Sequence, residues 1–493
     1  MKNFIQTIKG ISTEKLIHQF AEISVDMCKK QEYLHNIDVP IIQGNMKRTM
    51  TVQLSAWDIH GIQYHAICYS NDYRNSTTVY TVGQIVDLYR QFENQESPAE
   101  ELRKADLSGV FKILFGLVSE QLPFQNMGWI YENFNRNFHI LVASDKVNRN
   151  LKIGLEQIIR EKFGWSIDEY ISVQLIVYWL CMQHCDPLTA PEKIYRKQND
   201  TVLTKENIEK YIKYYSCNYD DVRHSPIKKQ IFYSKPFIHT DKSGAYIASN
   251  FYLVFWMISN SLYWLMRDYY NDLGSQAFVN AFGTMFEDYL KELAEKHFLP
   301  EQWKSIPTMK KKSADYYFDL EDAILVIEQK ASLIRISAKQ QTPDLNALNI
   351  FFTNAITEAY KQIQATCSEI RLSKPIIKII LLYETIENTH LIEAALPEIF
   401  GTDDSCYIMT ILELEILFHL WSTDKDKCLE LLLKMLSGKK EDTMQSCSIS
   451  KIYKDMGLYA LHGIARELDY FEKALENLGK ELDKTYEELE VKQ

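Results

Sequence analysis

Two carboxylates and an amine, spaced so that one pleat of a β-hairpin presents all three, are the residues of this chain best suited to chemistry. Asp315-Tyr-Tyr-Phe-Asp319 and Ala323-Ile-Leu-Val-Ile-Glu328 read as two strands about the polar turn Glu321-Asp322. Antiparallel pairing symmetric about that turn sets Asp315 opposite Glu328, with their Cβ atoms about 5 Å apart on one face. Lys330 lies two residues beyond Glu328 and shares that face. Asp319, the rival carboxylate on the first strand, faces Ile324 in this register and is set aside. Paired carboxylates suit a hard divalent cation, Mg²⁺ first and Mn²⁺ as a substitute. A cation so held acidifies a water and neutralises charge on a phosphoryl group, while a neighbouring ammonium stabilises the transition state. Phosphodiester hydrolysis needs this set.

The flanking segments supply elements to position it. A run from about 273 to 297 places Phe286, Leu290 and Leu293 on one helical face, with Glu287 beside them. After the hairpin, Ala359-Tyr-Lys-Gln-Ile363 reads as a helix and Pro375 to Tyr383 as a buried strand, apolar almost throughout. Cys406 to Thr410 is a plausible last strand, followed by a helix from Ile411 to Trp421.

An acidic residue on one strand, then Glu-X-Lys on the next, resembles the signature of the PD-(D/E)XK, or restriction-endonuclease-like, nuclease superfamily. Asp315, Glu328, Gln329 and Lys330 carry the match, with Ala314 where the family name has proline. The resemblance covers about 276 to 422. It implies an α/β restriction-endonuclease-like core, a mixed sheet flanked by helices, and a Mg²⁺-dependent endonuclease acting on DNA before RNA. It also implies that Glu287 joins Asp315 and Glu328 as a metal ligand. Gln362 on the following helix would face the site, with Gln364 as its alternative. The segment from Lys235 to Met266 is similar to the one preceding the nuclease in large bacterial defence proteins, which implies an antiviral effector.

The wider chain sets bounds. Its 493 residues suggest several domains, divided here as 1–272, a mainly helical region for sensing or positioning substrate; 273–422, the nuclease; and 423–493, a helical tail. The balance of 46% hydrophobic and 25% charged residues excludes a mostly disordered chain. A net charge of −11 excludes a uniformly basic surface but not a local phosphate-binding patch. Lys310, Lys311 and Lys312, with Arg335 and Lys339 after the motif, are the nucleic-acid-binding candidates. In the N-terminal region a strand-rich insert is expected near 50–70, from the alternation in Thr51-Val-Gln-Leu and Ile62 to Cys68. Residues 251 to 266 lack charge but are too few to span a bilayer, so they predict a buried helix and no membrane partner. No secretory leader is recognised, and nine scattered cysteines fit reduced thiols; both point to the cytoplasm. No phosphate-binding Gly-x-x-x-x-Gly-Lys loop occurs.

In the tail, Leu461, Ile464, Leu468, Phe471, Leu475, Leu478, Leu482, Thr485 and Leu489 follow heptad steps. The stripe predicts a homo-oligomer or a partner protein bound through the C-terminal helix. A second functional class stays open, a catalytically silent nuclease fold that binds nucleic acid or serves as a scaffold subunit.

Overall fold

The computed structural model describes residues 2–43, 46–74, 80–96, 99–125, 127–143, 151–189, 201–306, 313–331, 333–335, 338–339, 343–369, 374–383, 389–437, 448–461 and 463–490. Helix α1 (Thr13–Lys29) leads into a hairpin of β1 (Leu34–Gln43) and β2 (Met46–Ser55). Residues 50 to 55 are thus strand, but the expected strand at Ile62 to Cys68 belongs to helix α2 (Ala56–Tyr69). The reason is local. Ser55 and Asp58 form a capping box, with the Ser55 N–H donating to Asp58 Oδ2 at 2.9 Å, and Ile59, Ile62, Ala66 and Ile67 then fall on one buried face.

Helices α3 (Ile130–Phe138), α4 (Ile167–Gln183) and α5 (Phe251–Asp272) build the rest of the N-terminal region that bears on the site. Asn250 caps α5 by accepting from the Tyr252 N–H, and most of its apolar side chains are buried. Among the described residues, no helix is long and apolar enough to cross a membrane.

The sheet that carries the motif follows. Helix α6 (Ala277–His297) forms because Phe278, Phe282, Met285, Phe286, Tyr289, Leu290 and Leu293 recur at steps of three and four and are buried together. It leads to β3 (Trp303–Ser305), β4 (Tyr316–Asp319) and β5 (Ile324–Lys330), an antiparallel meander. Helices α7 (Leu345–Phe351) and α8 (Glu358–Glu369), joined by a π-helical turn, cross over to β6 (Ile376–Leu382), parallel to β5. A second crossover gives β7 (Cys406–Thr410), parallel to β6, and helix α9 (Ile411–Thr423). Spatial order is β7-β6-β5-β4-β3.

Alternation along β5 divides the core. Ile324 and Val326 join Ala355, Ala359 and Ile363 under α8, whereas Leu325 and Ile327 join Phe286 and Phe418 between α6 and α9. Each such fully buried aliphatic side chain contributes roughly 1.5–3 kcal/mol. Both faces being covered explains why β5 and β6 read as unbroken apolar runs. The second of these clusters is continuous with the N-terminal helices, so the 1–272 and 273–422 regions share a core.

A buried ion pair also joins them. Arg136 on α3 donates from Nε to Glu415 Oε1 at 2.6 Å and from Nη2 to Oε2 at 2.8 Å, and Tyr289 of α6 donates to the same carboxylate at 2.8 Å.

The tail departs from a continuous heptad helix. Leu458–Leu461 and Ile464–Glu467 are 3₁₀ turns, and the final helix, α10, runs Tyr470–Glu490. Phe471, Leu478 and Leu482 pack against the chain's own core, with Phe471 against the rings of Tyr131 and Phe134 at 5.1 and 5.2 Å. Leu461 and Leu475 are exposed. Three positions of the stripe are therefore covered from within, and two are not. A chain can bury a heptad face on itself as readily as on a partner. The side chains of Ile464, Thr485 and Leu489 lie outside the described set.

Candidate active site

Strand register places the acids as the turn geometry requires. Tyr316 pairs with Ile327 and Asp319 with Ile324, so Asp315, one residue before β4, falls opposite Glu328. The Asp315 N–H donates to the Ile327 carbonyl at 3.0 Å, and the Gln329 N–H donates to Asp315 Oδ2 at 2.8 Å. That second bond fixes the carboxylate. Glu328 is 2% exposed, with Oε1 accepting from Lys330 Nζ at 2.5 Å; its other oxygen shares a proton with Asp315 while Glu328 is protonated and finds no donor among the described residues once it is ionised. A buried carboxylate oxygen without a partner is costly, and a cation is one thing that would satisfy it.

Helix α8 closes one side. Gln362 accepts from Lys330 Nζ at 3.2 Å and donates to the Ser313 carbonyl at 3.2 Å, while Thr366, one turn on, accepts from the Ala314 N–H at 2.8 Å. Lys330 is held between Glu328 and Gln362. Gln364 instead donates to Asp403 Oδ2 at 2.7 Å, in a network with Lys378 and Tyr360, so Gln362 is the glutamine at the site. Helix α6 closes the other side. The Tyr316 hydroxyl donates to the Glu287 carbonyl at 2.8 Å, and the Glu287 carboxyl lies close enough to Asp315 to feel its charge.

Asp315 and Glu328 thus adjoin, with Glu287 within electrostatic reach of Asp315, and their protonation reports it. Burial, then repulsion from Asp315, pushes Glu328 up to about 8 despite the opposing Lys330 ammonium. Burial also raises Asp315, against the Gln329 N–H, and raises Glu287, with Asp315 and Asp288 adding to the effect. Such a cluster resists ionising until positive charge enters it. Because the Glu328 pKa is higher folded than unfolded, its contribution to stability is complete below its ordinary value of 4.5 and is lost as pH rises toward about 8. The melting temperature of metal-free protein should therefore fall between about pH 5 and pH 8. Glu328→Gln should flatten that slope; an unchanged slope would mean that Glu328 is not the titrating group.

The basic patch is only partly placed. Lys310, Lys311 and Lys312 lie outside the described residues, and Arg335 is exposed. Lys339 is half-buried and lines a pocket with Leu333 and Ile334. Asp319 pairs with Lys374 at 2.7 Å, away from the metal-ligand set.

Some participants had signals that sequence reading passed over. Thr366 stands four residues after Gln362 and hence on its helical face. Gln329 alternates to the α6 side of β5, toward Glu287. His18 and Glu22, at i and i+4 on α1, offer ligand atoms that lie with the Cys185 thiol within 4.8 Å of one another, a trio gathered from distant segments.

Comparison of the chain with protein-family models, with curated proteins and with solved structures gives no match.

Proposed function

We propose that the chain is a metal-dependent nuclease of the PD-(D/E)XK kind, with a restriction-endonuclease-like core, hydrolysing phosphodiester bonds in DNA before RNA. What supports this is one observation, Asp315 at the edge of β4 set opposite Glu328 of β5, with Lys330 bonded to both Glu328 and Gln362 of α8 and Glu287 of α6 within electrostatic reach of Asp315. Asp315, Glu328 and Glu287 would hold Mg²⁺ or Mn²⁺. When bound, such a cation acidifies a water and neutralises charge on the scissile phosphate. The Gln329 N–H orients the Asp315 carboxylate. Gln362 and Glu328 station the Lys330 ammonium, which offsets negative charge on the phosphoryl oxygens and is itself no metal ligand. The role of an effector in bacterial defence rests on the sequence resemblance alone.

A silent, binding-only fold would be favoured by a missing acid or lysine, and none is missing. Titration with Mn²⁺, followed by paramagnetic resonance, tests the site directly. One ion should bind, more tightly as pH rises from about 6 to about 8, because Glu328 must release its proton. Asp315→Asn and Glu328→Gln should abolish binding and Lys330→Met should keep it. Undiminished binding in both carboxylate variants would reject the proposal.

A further inference from the structure

Away from the acidic strand, α1 and the chain just beyond α4 bring three kinds of metal ligand together. His18 and Glu22 stand four residues apart on α1, the spacing that sets two side chains on one helical face. Helix α4 ends at Gln183, where the His184 N–H donates to the Leu180 carbonyl at 3.0 Å. Cys185 is then pinned on both sides. Its carbonyl accepts from the Ala248 N–H at 2.8 Å, and the next residue, Asp186, turns the chain by accepting on Oδ1 from the Leu188 N–H at 3.0 Å. One ligand atom from each of His18, Glu22 and Cys185 therefore lies within 4.8 Å of the other two.

The thiol and the imidazole already stand at ligand spacing. Cys185 Sγ is 3.4 Å from His18 Nδ1. In a tetrahedral zinc site with Zn–S near 2.3 Å and Zn–N near 2.05 Å, sulfur and nitrogen are roughly 3.6 Å apart. A thiol against an imidazole is also a hydrogen bond, which by itself would say no more. The carboxylate decides, because a thiol–imidazole hydrogen bond has no use for one and a cation does. Glu22 is exposed, so water reaches its carboxylate, whereas Cys185 is 1% exposed. The charges that the thiol feels are negative, from Glu22 and then Asp186, and with burial as the larger cause they push it up to about 12. Its proton thus leaves in exchange for a cation. His184 stays out of the set, with its Nδ1 accepting from the Asp186 N–H at 3.0 Å.

Thiolate and imidazole are donors that zinc favours, whereas a hard cation such as Mg²⁺ takes oxygen and leaves sulfur. We propose that His18, Glu22 and Cys185 form a zinc-binding site, with water in the fourth position, that ties α1 to the chain beyond α4. On binding, the Cys185 S–H bond breaks, its proton passes to solvent and a Zn–S bond forms, with no electron transferred. The exposed side of Glu22 is the entry path. None of the residues of the acidic strand takes part, and the site does not depend on whether the chain cleaves nucleic acid.

Titration of the whole chain, reduced and stripped of metal, with Co²⁺ in excess Mg²⁺ is the experiment. Cobalt bound to a thiolate absorbs by sulfur-to-metal charge transfer, and the carboxylate cluster around Glu328 holds no sulfur to produce that band. The band should saturate at one equivalent of Co²⁺ and vanish when Zn²⁺ displaces it. Cys185→Ser should abolish it. His18→Ala and Glu22→Gln should each weaken Co²⁺ binding by roughly tenfold or more, since even a group that merely supports a ligand is worth about 10–100-fold. Glu22 is exposed, so Glu22→Gln leaves the fold intact and tests the site if Cys185→Ser misfolds. Absence of the band in the unaltered chain, a band that persists in Cys185→Ser, or Co²⁺ affinity unchanged in both His18→Ala and Glu22→Gln overturns the inference.

Discussion

Glu328→Ala is expected to lower Mg²⁺-dependent cleavage of DNA by at least ~100-fold, and Asp315→Ala and Lys330→Ala by similar factors. The causes differ. The two carboxylate variants should lose metal, because Asp315 and Glu328 provide the converging oxygens, while Lys330→Ala should bind metal and lose rate. Fold should survive in each. Glu328 and Asp315 are both raised by burial, and Asp315 further raises Glu328, so removing one acid relieves the metal-free protein. Its melting temperature at about pH 8 should hold or rise, the usual sign of a site assembled at some cost in stability. Rates within a few-fold of the unaltered chain in all three variants would show that the cluster is not catalytic.

The second large effect is on stability. Arg136→Met should destabilise the chain by about 3–5 kcal/mol, since it strands the Glu415 carboxylate, 0% exposed, with Tyr289 as its remaining partner. Chemical denaturation measures this. Combining Arg136→Met with Glu415→Leu should recover much of the loss, because an apolar pair needs no counter-charge. Additive losses in the double variant would mean that packing, not charge, is what Arg136 contributes. The position matters because α3, α6 and α9 meet there, and α6 carries Glu287.

How much of this was legible depended on range. The hairpin register was readable because alternation and a central polar turn are local; the turn closes where expected, with the Leu320 N–H donating to the Ala323 carbonyl at 3.0 Å. Strands β6 and β7 and helix α9 were readable because uninterrupted apolar runs leave few alternatives. Ile62 to Cys68 misled because its apolar residues fit steps of two as well as steps of three and four, and the decisive signal lay upstream in the Ser55 and Asp58 cap. In the tail the heptad stripe says that something covers the helix without saying what, and the chain itself covers Phe471, Leu478 and Leu482. The Arg136–Glu415 pair spans 279 residues, and the Cys185 thiol meets His18 across 167. No local pattern announces either.

One measurement bears most directly on the central claim: incubation of the purified full-length chain with supercoiled and linear duplex DNA and with RNA, in Mg²⁺, Mn²⁺, Ca²⁺ or excess EDTA. The account predicts cleavage of duplex DNA in Mg²⁺ and Mn²⁺, little turnover in Ca²⁺, none in EDTA, and none with Asp315→Ala. Intact DNA and RNA in every metal, or cleavage that persists in EDTA, would contradict it.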